Sequence, residues 1–250
     1  MIAPGRPGEP SWLGRVWNVL YEGGYASLRA VVMYAWRPLF GTRRVGTPPR
    51  LPRGSFVLCA NHASYLDPAF VQLVLPRRVV FLMTYDFYRR RAGRWFFKLV
   101  GAIPVDTGRL ARKGLERAVA LLREGQPVAL FPEGRLSTDG SLATGQRGVA
   151  ILSRLGHAPV VPVGIAGNLV AWPKGARRPR RADVRVAFGP PIPSPTGPST
   201  GREAEQDFAD RVMAAVERAV AVARKAGRQA RTRMSPDPGL AVHHSRRGGR

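Results

Sequence analysis

The sequence predicts an α/β fold: a single domain on a mixed, largely parallel sheet flanked by helices, preceded by an N-terminal amphipathic helical segment. Three observations carry this. Short apolar runs of strand length recur from residue 55 onward, at 55–60, 79–83, 102–105, 127–131, 160–166 and 184–189. Segments with helical spacing lie between them, at 68–75, 112–124 and 146–155. Neither a repeat nor a composition break divides the 250 residues, which suffice for one core. Alternation of this kind argues for βα units on a largely parallel sheet.

Residues 1–11 hold three prolines and no apolar run, so disorder is expected and no secretory signal is read. Residues 12–45 mix Trp12, Trp17, Tyr21, Tyr25, Tyr34 and Trp36 with Arg15, Arg29 and Arg37. Their longest uncharged stretch, Ala30 to Trp36, is far short of the roughly 20 residues that span a bilayer. Aromatic rings favour the headgroup zone and arginine stems snorkel, so an interfacial helix fits, or a pair split at Gly23-Gly24. A helix packed on the domain is the alternative.

The domain proper is expected over 50–225. Ser55-Phe56-Val57-Leu58-Cys59-Ala60 reads as a buried strand. Asp67-Pro68 ahead of Ala69-Phe70-Val71-Gln72-Leu73 looks like a helix N-cap with proline at the first helical position. Leu115, Val119 and Leu122 recur at helical spacing, with Gly125 as the stop. Residues 190–201 read as a loop. A last helix is expected over about 202–225, with Phe208, Val212, Val216, Ala219 and Val220 on one face. Residues 226–250 are expected to form a basic disordered tail.

The formal net charge is +24, and arginine supplies all but Lys98, Lys113, Lys174 and Lys225 of the 40 basic residues. Compositional bias accounts for arginine over lysine but not for the excess of positive charge. Four stretches, 1–50, 77–98, 174–185 and 225–250, carry most of it. Such patches suit an anionic membrane surface or a nucleic acid, a solvated face plus a tail being the plainer alternative. No signature of a nucleic-acid-binding fold accompanies them. Cys59 is the one cysteine, which excludes an internal disulfide and a Cys-based metal site and suits a reducing, cytoplasmic environment. No metal site or Gly-rich nucleotide loop is read. His157 reads as a turn residue, and His243 and His244 fall in the tail.

The chemistry gathers after the first strand, in Asn61-His62-Ala63-Ser64-Tyr65-Leu66-Asp67-Pro68. A neutral imidazole serves as a general base near neutral pH, and a carboxylate fixes its tautomer and offsets its developing charge. Catalytic groups collect at strand ends in α/β sheets. Ser64 reads as a turn residue rather than a nucleophile. A His and an Asp separated by four residues are common by chance, so the weight comes from three downstream blocks in a definite order. They are Gly101-Ala102-Ile103-Pro104-Val105-Asp106-Thr107-Gly108-Arg109, then Phe131-Pro132-Glu133-Gly134-Arg135-Leu136-Ser137, then Val160-Val161-Pro162-Val163.

In this order, over roughly residues 50–190, the blocks resemble the glycerophospholipid acyltransferase superfamily, of the lysophosphatidate acyltransferase type. Its pattern is NHxxxxD, a GxIxxxR-like block, FPEGTRS and VxPV. The resemblance implies His62 as general base with Asp67 as its carboxylate. It implies Asn61, Arg109, Glu133, Gly134 and Arg135 at the acceptor, and neither metal nor cofactor. The expected reaction moves a fatty acyl group from acyl-CoA or acyl-carrier protein to 1-acyl-glycerol-3-phosphate, giving phosphatidic acid. The expected partner is an anionic membrane surface, on the cytoplasmic face of the cell membrane, with peripheral or monotopic attachment. Two departures stand out. Arg135 and Leu136 replace the usual threonine and arginine, and Thr107-Gly108 separates Asp106 from Arg109. They keep open a different lysophospholipid or a lyso-aminolipid as acceptor. A third reading is a non-catalytic basic protein that binds membrane or nucleic acid.

Overall fold

The structure, a computed structural model, describes residues 39–46, 51–75, 77–85, 102–105, 109–195 and 201–234, with positions 24, 27, 31, 34 and 36. Seven strands are present: β1 (Arg43–Val45), β2 (Val57–Ala60), β3 (Val80–Thr84), β4 (Ile103–Val105), β5 (Val128–Leu130), β6 (Val160–Ala166) and β7 (Arg185–Phe188). The helices are α1 (Asp67–Val74), α2 (Arg109–Arg123), α3 (Gly148–Gly156), α4 (Asn168–Ala171) and α5 (Arg202–Met234). The strands form one sheet in the order β1-β7-β6-β2-β5-β3-β4. Every neighbouring pair is parallel except β6 with β7.

Each apolar run became a strand; β2 and β6 are buried along their whole length, and strands covered on both faces read as continuous hydrophobic stretches. Side chains alternate along β2, so it feeds two cores. Val57 and Cys59 pack with Val128, Val160, Leu122 of α2, Leu152 of α3 and Phe208 of α5. Leu58 and Ala60 pack on the opposite face with Phe40, Val163, Val184 and with Phe70 and Val71 of α1. Cys59 is fully buried, and burial pushes its thiol pKa far up, so it is an inert core residue.

Three expectations are corrected. The helical segment expected to run to residue 45 gives way to β1, where Gly41 N–H and Arg43 N–H bond to the carbonyls of Ala182 (3.1 Å) and Val184 (2.9 Å). Two charged residues in a three-residue edge strand leave no apolar alternation to read, and charge at an edge discourages pairing with other chains. The last helix passes the expected end near 225 and continues to Met234, so the expected tail is helical at its start. Gly227 does not break it: a helical glycine costs only about 1 kcal/mol relative to alanine, and Ala226, Gln229 and Ala230 favour helix. The third concerns the cap of α1, beside the candidate site. Positions 24, 27, 31, 34 and 36 are helical. The rest of the expected interfacial helix, residues 1–11 and residues 235–250 lie outside the described residues. No helix among the described residues is long and apolar enough to cross a membrane.

The expected stop of α2 is present. Gly125 N–H bonds to Leu122 O (3.0 Å) and Gln126 N–H to Leu121 O (2.9 Å), the paired bonds of a Schellman cap. On the same face of the sheet α5 crosses β6 at Gly164, where a Cβ would run into backbone atoms of Ala219 and Val220. Only glycine lets the helix come this close. Gly164→Ala is expected to destabilise the fold by about 3 kcal/mol, since backbone cannot yield as a side chain can. The corresponding loss in Tm is roughly 6–12 °C by calorimetry. A variant melting with the wild type would contradict this packing.

Candidate active site

Three neighbouring parallel strands, β5, β2 and β6, deliver the site at their carboxyl ends. Cys59 is level with Leu130 on one side and with Pro162 on the other. The residues just past Ala60 therefore meet those just past Leu130 and those at the end of β6.

Asn61 continues the ladder with its side chain. Its Nδ2 donates to Ile165 O (3.0 Å), and Ile165 N–H donates to its Oδ1 (2.7 Å). An amide offers a donor and an acceptor side by side, which this bridge to β6 needs and a carboxylate lacks. Asn61 is buried and committed to backbone, so it braces the turn rather than facing a substrate.

The chain then turns so that His62 Nδ1 lies 3.0 Å from Asp67 Oδ2. The same oxygen accepts the N–H groups of Ala63 and Ser64, each at 2.8 Å. Asp67 Oδ1 accepts Nδ2 of Asn168 at 2.8 Å, from a residue 101 positions away at the start of α4. Asp67 is fully buried and His62 is 20% exposed. A carboxylate already accepting three N–H donors offers His62 Nδ1 an acceptor, which suits the tautomer with Nδ1–H toward Asp67 and leaves Nε2 for other partners. The expected N-cap role of Asp67 is not found. Leu66 occupies the cap of α1 without a side-chain bond, and Asp67 is already helical. Oδ2 turns back to three donors of the 62–64 turn and Oδ1 is taken by Asn168, so neither oxygen is left to cap the helix. Ser64, fully buried, donates its hydroxyl to Trp172 O (3.3 Å), the turn role expected of it.

The β5 side braces His62. Phe131 stacks on the imidazole with ring centroids 3.9 Å apart and an interplanar angle of 11°. Glu133 Oε1 accepts His62 N–H (2.9 Å) and Oε2 accepts Ala143 N–H (3.2 Å). Burial raises the Glu133 carboxyl above its ordinary pKa; the two N–H groups and then the nearby imidazole oppose that rise. Gly134 has φ +66°, and a Cβ there would collide with the Gln146 side chain, so both conformation and space require glycine. The turn closes with Ser137 N–H on His62 O (2.7 Å).

The structure thus brings together His62, Asp67, Asn61, Glu133 and Gly134. Arg135 is exposed on the turn between Gly134 and Ser137, and Leu136 is half-buried. Arg109 opens α2, but its side chain, like residues 106–108, lies outside the described residues. Sequence reasoning missed Asn168 and the Phe131 stack. Asn168 follows a wholly buried strand by one glycine, the same strand-end position that singled out His62. A separate cavity of about 660 Å³ lies between α3, α5 and residues 192–195, and none of these site side chains lines it.

A His–carboxylate pair braced at the ends of a mostly parallel sheet defines the class, and comparison with known proteins gives the family. The pattern of the family described as Acyltransferase matches residues 42–166. The chain belongs to this acyltransferase family. It is 30% identical over 139 residues to a 1-acyl-sn-glycerol-3-phosphate acyltransferase of Limnanthes douglasii, covering 54% of this chain and 50% of that protein. It is 26% identical over 157 residues to the protein of that name from Bacillus subtilis, covering 62% and 75%. The chain spans about half the length of the Limnanthes relative. The crystal structure of the 1-acyl-sn-glycerophosphate acyltransferase PlsC from Thermotoga maritima matches with a TM-score of 0.63 at 20% identity over 78% of both chains, a likeness of fold.

Proposed function

We propose that this chain transfers a fatty acyl group from a thioester donor to the free hydroxyl of 1-acyl-glycerol-3-phosphate, giving phosphatidic acid. The observation that carries the reading is the commitment of His62 Nδ1 to buried Asp67, which leaves Nε2 for a substrate proton. The acceptor hydroxyl gives its proton to Nε2 as its oxygen attacks the thioester carbonyl. The negative charge of Asp67 stabilises the imidazolium so formed. The tetrahedral intermediate then collapses, the C–S bond breaks, and the thiolate takes the proton from Nε2. An ester and a free thiol result, and histidine returns to its starting state. No enzyme side chain is acylated, so donor and acceptor react directly in one ternary complex.

Acyl-CoA or acyl-carrier protein is the donor in this reading. Arg135 and Arg109 are the phosphate ligands, since a guanidinium fork matches a phosphate monoester. The chain works peripherally on the cytoplasmic face of an anionic membrane, where its net charge of +24 draws it to the lipid. The names of its relatives support the acceptor, and the Arg135-Leu136 departure motivates the competing lysolipids.

The test is thiol release from acyl-CoA with and without lysophosphatidate. Acceptor-dependent release is expected, with lysophosphatidate preferred over other lysophospholipids in competition. Release that favours another lysolipid would reassign the acceptor. Silence with acyl-CoA, acyl-carrier protein and every lysolipid would leave the non-catalytic binding protein.

A further inference from the structure

The segment between α4 and β7 is an ordered loop that carries Lys174, Arg177, Arg178, Arg180 and Arg181, all exposed, with no acidic residue between them. It is not a solvated tail. Pro173 and Pro179 restrict it, and it is closed by Trp172 Nε1 on Ala176 O (3.0 Å), Ala176 N–H on Pro173 O (3.1 Å) and Arg180 N–H on Ala171 O (2.8 Å). The next acidic residue, Asp183, is engaged by Arg185.

The base of this loop is bolted to the candidate active site. Trp172 O accepts both Tyr65 N–H (3.1 Å) and the Ser64 hydroxyl (3.3 Å), and the two rings Tyr65 and Trp172 meet edge to face. Ser64 N–H in turn holds the carboxylate of Asp67. The loop's far end meets exposed apolar surface. Ala182 N–H bonds to Leu39 O (3.1 Å), and Leu39 is 47% exposed. Val170, at the loop's start, is 57% exposed.

We propose that residues 172–182, with Leu39 and Val170 beside them, form the surface that docks on an anionic lipid bilayer and sets the His62–Asp67 turn against it. This rests on the membrane reading above and names the surface. A run of exposed arginines flanked by exposed apolar residues matches the headgroup boundary, where cations meet lipid phosphates and apolar side chains enter beneath them. An acidic protein partner would be met by the charges but gives no role to the flanking apolar residues. The rigid link to Ser64 means that a docked loop fixes the direction in which the site opens, so an acceptor held in the bilayer reaches His62 without leaving it.

The test uses the full chain and two triple variants. One is Arg177→Gln, Arg178→Gln, Arg180→Gln. The control is Arg112→Gln, Lys113→Gln, Arg117→Gln on α2, which packs on the opposite face of the sheet. Binding is read by co-sedimentation with phosphatidylcholine vesicles doped with phosphatidylglycerol. Turnover is read separately on short-chain lysophosphatidate and short-chain acyl-CoA in free solution. The loop triple is expected to weaken vesicle binding by roughly 10- to 100-fold, the control triple far less, and neither to change turnover of the dissolved pair. Equal losses in both triples, or none in the loop triple, would overturn the proposal, since binding would then follow total charge. A loop triple that also slows the dissolved pair would overturn it too, assigning these cations to a substrate. Sedimentation needs no turnover, so a wild type that binds through the loop but releases no thiol would sink the acyl-transfer reading alone.

Discussion

Replacing His62 by glutamine is expected to lower acceptor-dependent thiol release by roughly 10³-fold while the protein stays folded. The size of this effect reflects the absence of a substitute among the described residues. Asp67 is fully buried and both its oxygens accept donors, and Glu133 is buried with each oxygen on a backbone N–H. Neither carboxylate can reach an incoming hydroxyl without abandoning the turn it holds. The fold is expected to tolerate the change because the bonds that shape the turn use the backbone of His62: its N–H on Glu133 and its carbonyl on Ser137. The ring adds one contact to Asp67 and a stack on Phe131, both partly open to solvent. Thiol release and Tm should therefore part company. A glutamine variant that keeps a tenth of the wild-type rate would remove His62 from the chemistry.

How far the sequence alone reveals these features depends on how local each one is. The six strands were legible because each reads as a short apolar run: β2 and β6 are buried along their whole length, and β3 and β4, though only half-buried toward the sheet edge, keep an apolar sequence. β1 was not, because its pairing with β7 is a backbone matter and its first two residues are arginines. The His62–Asp67 pair was legible from spacing, since five positions across a tight turn bring the two side chains together. The direction of the Asp67 carboxylate was not. Asp-Pro before an apolar run looks the same whether the oxygens point forward to cap the helix or back to Ala63 and Ser64. Asn61 and Glu133 were expected at the acceptor. Their partners, Ile165 and Ala143, come from other strands and loops, so the sequence offered no sign that these side chains are committed to backbone. Asn168 lies furthest from reach, for its partner Asp67 is 101 residues away.

The same geometry makes Asp67→Asn the sharpest test of what this carboxylate does. Every group around it is a donor: His62 Nδ1–H, two backbone N–H groups and the Asn168 amide. An asparagine must turn its own NH₂ toward one of them. If its oxygen keeps the Ala63, Ser64 and His62 side, its nitrogen faces Asn168, which can rotate its amide and present oxygen instead. The turn then survives with about 1–3 kcal/mol lost, read as a shift in the urea midpoint. The negative charge does not survive, and with it goes the stabilisation of the imidazolium formed as the acceptor is deprotonated. Turnover is expected to fall by roughly 10²- to 10⁴-fold, in kcat rather than in KM, because the charge matters once the proton has moved. A structural anchor and an electrostatic partner thus predict opposite splits. Full turnover in a destabilised Asp67→Asn protein would make this residue a builder of the turn and nothing more. A folded, nearly inactive protein would show that the charge itself, buried at the end of β2 and held by four donors, is what the site is built around.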